Sequence, residues 1–203
     1  MSSSIERAQV LMEQNRADLA QKELLQALPA DPENPTLHVL LAMCLADGNK
    51  HDEALAHARR AVQLAPEWSV SFRVLARVEL AGGHTKPALE AARTAVTMDP
   101  EDPVNHVVLA QVRLNAGDWQ AALDSADKAL SLDPQNQDAL NARGMALGRL
   151  GRQSDSETTI RASLAENPED DVTHANLGWS LLQAGKTREA MGHFKEALRI
   201  NPQ

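Results

Sequence analysis

Several groups of residues in this chain have the types and spacings from which chemistry is made. The stretch SLLQAGKT, Ser180 to Thr187, comes within one residue of the phosphate-binding pattern G-x-x-x-x-G-K-[ST]. Ser180 stands where that loop requires glycine, and the segment reads as a turn between two helices, not as the passage from a strand to a helix. Lys186 is therefore expected to be a surface residue of a turn. Of the seven histidines, His38, His106 and His174 are evenly spaced. Zinc ligands must lie about 2 Å from one ion, whereas helices packed 8 to 10 Å apart leave residues two helical hairpins apart separated by roughly 20 Å. These histidines are expected to be partly buried, each with one ring nitrogen bonded locally, and no metal site is expected. Cys44 lies inside LLAMCLAD, where a free cysteine packs as a small hydrophobe; a nucleophile would need an electropositive neighbour that the sequence does not offer. Asp31, Asp99, Glu101, Asp133 and Asp170 fall in turns and at helix starts, which is the placement of caps and helix-dipole partners. No constellation amounts to an active site, so neither an enzyme nor a cofactor is expected.

The elements that hold these residues follow from composition and period. The 203 residues are enough for one large or two small domains. Aromatics make up 2% and tyrosine is absent, so Leu, Val, Met and Ala must fill the core, and Ala and Leu favour an all-α chain. A single cysteine excludes an internal disulfide framework and fits a reducing, cytoplasmic compartment. The opening MSSSIERAQV has no apolar signal core, and no run of 18 apolar residues occurs. A net charge of −8 opposes general nucleic-acid binding, which depends on neutralising phosphates with Lys and Arg.

Pro32, Pro66, Pro100, Pro134, Pro168 and Pro202 recur every 34 residues. Cut into blocks 1–34, 35–68, 69–102, 103–136, 137–170 and 171–203, the chain aligns with itself without insertion or deletion. The eighth place is always small (Ala8, Ala42, Ala76, Ala110, Gly144, Gly178), and so is the twentieth (Ala20, Ala54, Ala88, Ala122, Ser156, Ala190). The fifteenth reads Asn15, Asn49, Gly83, Gly117, Gly151 and Gly185. Small residues at these places let two helices approach closely. The Asn or Gly supplies the left-handed residue that ends a first helix, and the residue before each proline is pushed out of the α region and ends the second. In the fourth block the pattern predicts helices over 105–116 and 121–132. By propensity the fifth block is the weakest: Gly144 and Gly148 interrupt its first helix, and QSDSETTIRASL fills its second with Ser and Thr.

A 34-residue helix-turn-helix period with these small and punctuating residues resembles the tetratricopeptide repeat, over essentially the whole chain. The resemblance implies one domain, a right-handed superhelical α-solenoid of six 34-residue helix-turn-helix repeats. It also implies a protein-interaction scaffold that takes a peptide or partner segment in a concave groove lined by the first helices. It points to bacterial multi-repeat proteins, some of which continue into a hydrophobic segment, so the alternative is a self-associating or membrane-tethered assembly module. The sequence departs from the family's large aromatics at the fourth and eleventh places. Glu79 and Arg113 hold the eleventh in adjacent blocks, where a cross-repeat ion pair is expected.

By the family's geometry the groove is lined from the second, fifth, sixth, ninth, twelfth and thirteenth places. These give Arg73, Arg77, Gln111, Asn115, Asn141, Met145 and Arg149 in the middle of the chain, with Asp138 the only acid, and Trp179 in the last block. Glu6, Glu13 and Asp47 make the first two blocks acidic. Arg73 and Arg77 share one helical face and present two guanidinium forks to a carboxylate, so the expected partner is an acidic protein or peptide segment. The competing role for this pair is a solvated face or local ion pairs to Glu79 and Asp102. Where the family's carboxylate-clamp members use Lys and Asn at the fifth and ninth places, this chain has the two arginines, a departure that argues against chaperone-tail binding. Trp68 and Trp119 are expected to pack at repeat junctions. Met191, Phe194 and Leu198 at the end of the sequence are expected to leave apolar surface uncovered, so the sequence is expected either to be part of a longer chain or to self-associate through its last repeat.

Overall fold

The computed structural model describes residues 2–202, with side chains from Ser4 onward. Within them the chain is all helical, with no strand among the described residues. The first helices of the blocks are α1 (Ser2–Glu13), α3 (Pro35–Asp47), α5 (Ser69–Ala81), α7 (Pro103–Ala116), α9 (Gln137–Arg149) and α11 (Asp171–Gln183). The second helices are α2 (Ala17–Ala27), α4 (His51–Leu64), α6 (Thr85–Met98), α8 (Trp119–Leu132), α10 (Gln153–Glu166) and α12 (Thr187–Ile200), and a short 3₁₀ turn, Leu28–Ala30, follows α2.

Local chemistry sets the boundaries. Asn15, Asn49, Gly83, Gly117, Gly151 and Gly185 all have φ between 57° and 80° and turn each first helix into its second. Four of the first helices begin on a side-chain cap: Asn34, Asp102, Asn136 and Asp170 accept from the backbone N–H of Thr36, Val104, Ala139 and Val172. Pro35 and Pro103 take the first helical position behind two of these caps. For that reason α7 starts two residues before the position expected from apolar spacing, and α8 starts at Trp119, directly after the left-handed turn.

The helices gather into two compact units, Met1–Pro100 and Glu101–Gln203. In the N-terminal unit each first helix packs on its own second helix, α2 packs on α3, and α4 packs on α5. Leu24, Leu37, Leu41 and Leu45 form its core with Cys44, Val74 and Val78, closed by the small Ala8, Ala20, Ala42, Ala54 and Ala58, and Trp68 packs against this cluster. Burial first, and Asp47 second, push the Cys44 thiol up to about 11, so it is inert as a nucleophile.

The C-terminal unit repeats the arrangement with α7 to α12, but its core is thinner and more polar. Leu147, Ile160, Leu177 and Leu181 are its large buried residues in α9 to α11. Between them the Ser and Thr of α10 are buried and paired: Ser156 Oγ donates to the Gly144 carbonyl at 2.8 Å, Ser163 Oγ to Gln137 Oε1 at 2.6 Å, and Thr159 Oγ1 accepts from Arg143 at 2.6 Å. The residues that weaken α10 by propensity thus bind it to α9. Gly144 is required by close approach, since a Cβ there would lie 2.4 Å from Ile160 Cγ1.

Two histidine pairs recur at equivalent places. His38 Nδ1 lies 2.8 Å from His57 Nδ1, and His174 Nδ1 lies 3.0 Å from His193 Nδ1. In each pair the first ring's Nε2 is 3.0 Å from a proline carbonyl, of Pro32 and Pro168. A carbonyl only accepts, so Nε2 carries the proton, the neutral ring's Nδ1 is the acceptor, and His57 and His193 donate from Nδ1. The local bond expected for His38 and His174 is present, and the paired ring is an addition to it. Burial and the facing histidine hold His57 and His193 below their ordinary value, with Arg161 adding to the effect on His193. Glu53 acts in the opposite direction on His57, as do Glu189 and Glu196 on His193. The unfolded chain therefore binds more protons than the folded one between the two values. Stability should be complete above about pH 6.5 and fall as the pH drops toward the folded values. Thermal midpoints between pH 7.5 and 5 test this: the decline should be shallower in His57→Asn and His193→Asn, and an equal decline would remove the pairs as its source.

Candidate interaction surface

The residues expected to line a groove fall into separate settings. In the N-terminal unit Arg73 and Arg77 lie four apart on α5, Arg73 half-buried and Arg77 exposed. Glu79, one of their expected local partners, is buried and already held by Arg59 Nη2 at 3.2 Å and His84 Nδ1 at 2.9 Å. Arg77 makes no ion pair among the described residues. Glu79 is thus paired inside its own unit, and Arg113 is bonded inside its own through Nη1, which donates to the Ala121 carbonyl at 3.0 Å and to Ser125 Oγ at 2.5 Å, while its buried Nε has no partner.

In the C-terminal unit, register places Gln111, Met145 and Trp179 at the ninth place of α7, α9 and α11, and Asn115, Arg149 and Gln183 at the thirteenth. Asn141 is different. It is only 7% exposed and is bonded inside the unit, its Oδ1 accepting from Thr173 Oγ1 at 2.8 Å and its Nδ2 lying 3.5 Å from Asp170 Oδ2. The same hydroxyl lies against the Asp170 carboxylate, which shares its one proton. Asn141 therefore ties α9 to the start of α11 and is not displayed to a ligand.

Met145, Arg149 and Trp179 meet at one cleft of about 430 Å³ between α9 and α11. Gly144, Gly148, Ser156, Ile160 and Ser180 make its floor, and Asn176 and Gln183 join Trp179 on the α11 side. Arg149 is the only charged residue lining it, and it makes no ion pair among the described residues. Asn176 Nδ2 is buried without a hydrogen-bond partner. Trp179 is 59% exposed, its ring set edge-on to Phe194 at 5.7 Å between centroids. A large exposed aromatic beside an unpaired guanidinium and an unpaired amide is the composition of a contact surface.

Trp179 also borders a second cleft, of about 600 Å³, between α11 and α12, with Val172, Ala175, Phe194, Ala197 and Leu198. The apolar surface expected here is present: Leu198 is 62%, Val172 55% and Met191 54% exposed. Phe194 is half-buried against Gly178, where a Cβ would lie 2.7 Å from its ring. Trp119, expected at a packed junction, is exposed at the start of α8.

The phosphate-loop resemblance does not survive the structure. Ser180 to Gln183 is the end of α11, Gly185 is the left-handed turn residue shared with the other hairpins, and Lys186 Nζ sits 2.8 Å from Glu157 Oε2. Lys186, ahead of Arg161, holds the Glu157 carboxyl below its ordinary range. Among the described residues no group of three or more His, Cys, Asp or Glu could hold a metal ion, and no helix is long and apolar enough to cross a membrane.

Stacked helical hairpins joined by left-handed turns define an all-α repeat scaffold. Family models described as tetratricopeptide repeat match residues 5–67, 73–136, 107–171 and 172–203, so the chain belongs to the tetratricopeptide repeat family. Repeats of this family form protein–protein interaction scaffolds, and the fold is generally non-catalytic. Among solved structures, the chain is similar to the Cut9–Hcn1 hetero-tetramer of the APC/C, with a TM-score of 0.86 and 19% identity over 100% of this chain and 40% of that one. It thus spans about two fifths of that relative. A thermophilic tetratricopeptide repeat protein of Thermus thermophilus aligns with a TM-score of 0.78 and 23% identity over 84% of this chain and 93% of that one. YrrB, a repeat protein described as having an unusual peptide-binding site, aligns with a TM-score of 0.57 and 19% identity, covering 89% and 93%. At these identities the likeness is one of fold. No curated protein matches the chain.

Proposed function

We propose that the chain is a non-catalytic interaction scaffold that binds a segment of a partner protein, and that the cleft between α9 and α11 is where the segment seats. The observation that carries this reading is the convergence of Met145, Arg149 and Trp179, expected from register alone, on one open cleft whose only charge is positive. Gln111 and Asn115 extend the same surface along α7 in register. In the N-terminal unit the exposed Arg77, one turn along α5 from Arg73, offers a second contact for acidic side chains. An acidic partner fits both places, and a reducing, cytoplasmic setting fits the single buried Cys44.

Selection of a random peptide display library on the full chain tests the reading. Peptides retained by the wild type should be lost on Trp179→Ala, and acidic ones weakened by Arg73→Glu with Arg77→Glu, at little cost in thermal midpoint. Retention of the same peptides by Trp179→Ala would place the site elsewhere. A second reading, self-association through the last hairpin, is favoured by the exposure of Val172, Met191 and Leu198. It appears in light scattering as a concentration-dependent mass that Leu198→Glu abolishes.

A further inference from the structure

Gly148 occupies the twelfth place of its block, where the other blocks hold Met12, Ala46, Leu80, Leu114 and Leu182. Packing does not require glycine there: a Cβ would meet nothing closer than Ser156 Oγ at 3.4 Å, an ordinary contact. The bare position instead adds open space to the cleft that Ile160 also lines. Across the cleft Asn176 breaks the register in a complementary way. It stands at the sixth place, where the four preceding blocks hold the apolar Leu40, Val74, Val108 and Ala142 and the first holds Glu6, and its buried Nδ2 has no partner. An unpaired buried donor costs folding free energy, and a partner supplied from outside removes that cost.

Ser156, Ser180 and Gln183 of the cleft are engaged inside the protein. Ser156 Oγ donates to the Gly144 carbonyl and lies 3.2 Å from Ser180 Oγ, and Gln183 Oε1 accepts from Gln153 at 3.0 Å. No carboxylate lines the cleft, whose lining joins the guanidinium of Arg149 and the side chain of Asn176 to Met145 and Trp179. Resting on the reading of this cleft as the partner site, we infer that it takes a segment through one large apolar side chain seated over Ile160 in the notch that Gly148 opens. A carboxylate beside that side chain pairs with Arg149, and Asn176 Nδ2 donates to an oxygen of the same segment. Gly148 then sets the size of the anchor, and Arg149 sets the preference for charge.

The test follows the indole N–H signal of Trp179 in the full chain by NMR, identified by its loss in Trp179→Phe. Three probes are titrated: N-acetyl-Phe-Glu amide, N-acetyl-Ala-Phe with a free terminal carboxylate, and the neutral N-acetyl-Phe-Gln amide. At least one carboxylate probe should bind about ten-fold more tightly than the neutral one, and the arm that does so identifies a side-chain or a chain-terminal source. Arg149→Gln should bring the ratio close to one. Gly148→Leu, the residue found at that place in three other blocks, should remove the Trp179 shift for all three probes while the helical circular dichroism is kept. A ratio near one in the wild type, a preference that survives Arg149→Gln, or no Trp179 shift with any probe overturns the inference. In any of those cases, display-selected peptides that still shift Trp179 leave the wider reading standing, whereas their absence removes it as well.

Discussion

Leu177→Ala should lower the stability of the C-terminal unit by about 2–5 kcal/mol. Leu177 is fully buried in α11 beside Ile160, Leu181 and Ala190. Around it the large residues are few and the rest are Ala, Gly, Ser and Thr, so little apolar volume is at hand to refill the space. Repeat folds distribute stability as local and nearest-neighbour terms, so the loss should be regional. Native-state amide exchange should accelerate across α10, α11 and α12 while α3 and α4 keep their wild-type protection. Equal acceleration along the whole chain would mean a single cooperative unit and would refute the nearest-neighbour account.

The two glycines of α9 should respond to alanine with opposite signs. At position 144 the new Cβ would lie 2.4 Å from Ile160 Cγ1 and 3.0 Å from its Cδ1. Ile160 is buried and β-branched, so it has one comfortable rotamer in a helix and no room to change it. Overpacking of this kind costs about 1–3 kcal/mol, more than the 0.5–1 kcal/mol or so that alanine returns in helix propensity. Gly144→Ala should therefore be destabilised by about 1–2 kcal/mol. Gly148→Ala meets nothing closer than Ser156 Oγ at 3.4 Å and should gain about 0.5–1 kcal/mol. Urea midpoints of the two variants decide the matter, and a shift in the same direction for both would show that contact with Ile160 is not what separates them.

Much of the fold was legible in the sequence because the signals are local. A left-handed residue at the fifteenth place, a proline after each second helix and small residues at the eighth and twentieth places each act within one hairpin. What crosses between helices was less legible. The sequence places Glu79 and Arg113 at equivalent positions but does not say that Arg59 and His84 bond the one and Ser125 the other. It marks α10 as a poor helix, yet Ser156, Thr159 and Ser163 find partners on α9 that propensity cannot register. Asn141 was read as groove lining from its place alone, and its neighbours Thr173 and Asp170 draw it inward. The signal for the cleft was present but of another kind. It lies in departures from the repeat: an asparagine at the sixth place, which is apolar in the four preceding blocks, and a glycine among larger twelfth places.

The left-handed turn residues at 15, 49, 83, 117, 151 and 185 are evenly spaced, and every hairpin uses the same backbone solution. In genetic terms the gene is in phase with the fold. A crossover that removes or duplicates one 34-residue length, from whatever point it starts, rejoins equivalent places of two helices and restores a turn, a cap and a small-residue contact at the seam. Loss of any other length shifts the left-handed residue into a helix and the apolar face into water. Such a chain lengthens or shortens by whole hairpins with each unequal exchange, and its recognition surface is then open to redrawing by single substitutions at places such as Gly148 and Asn176.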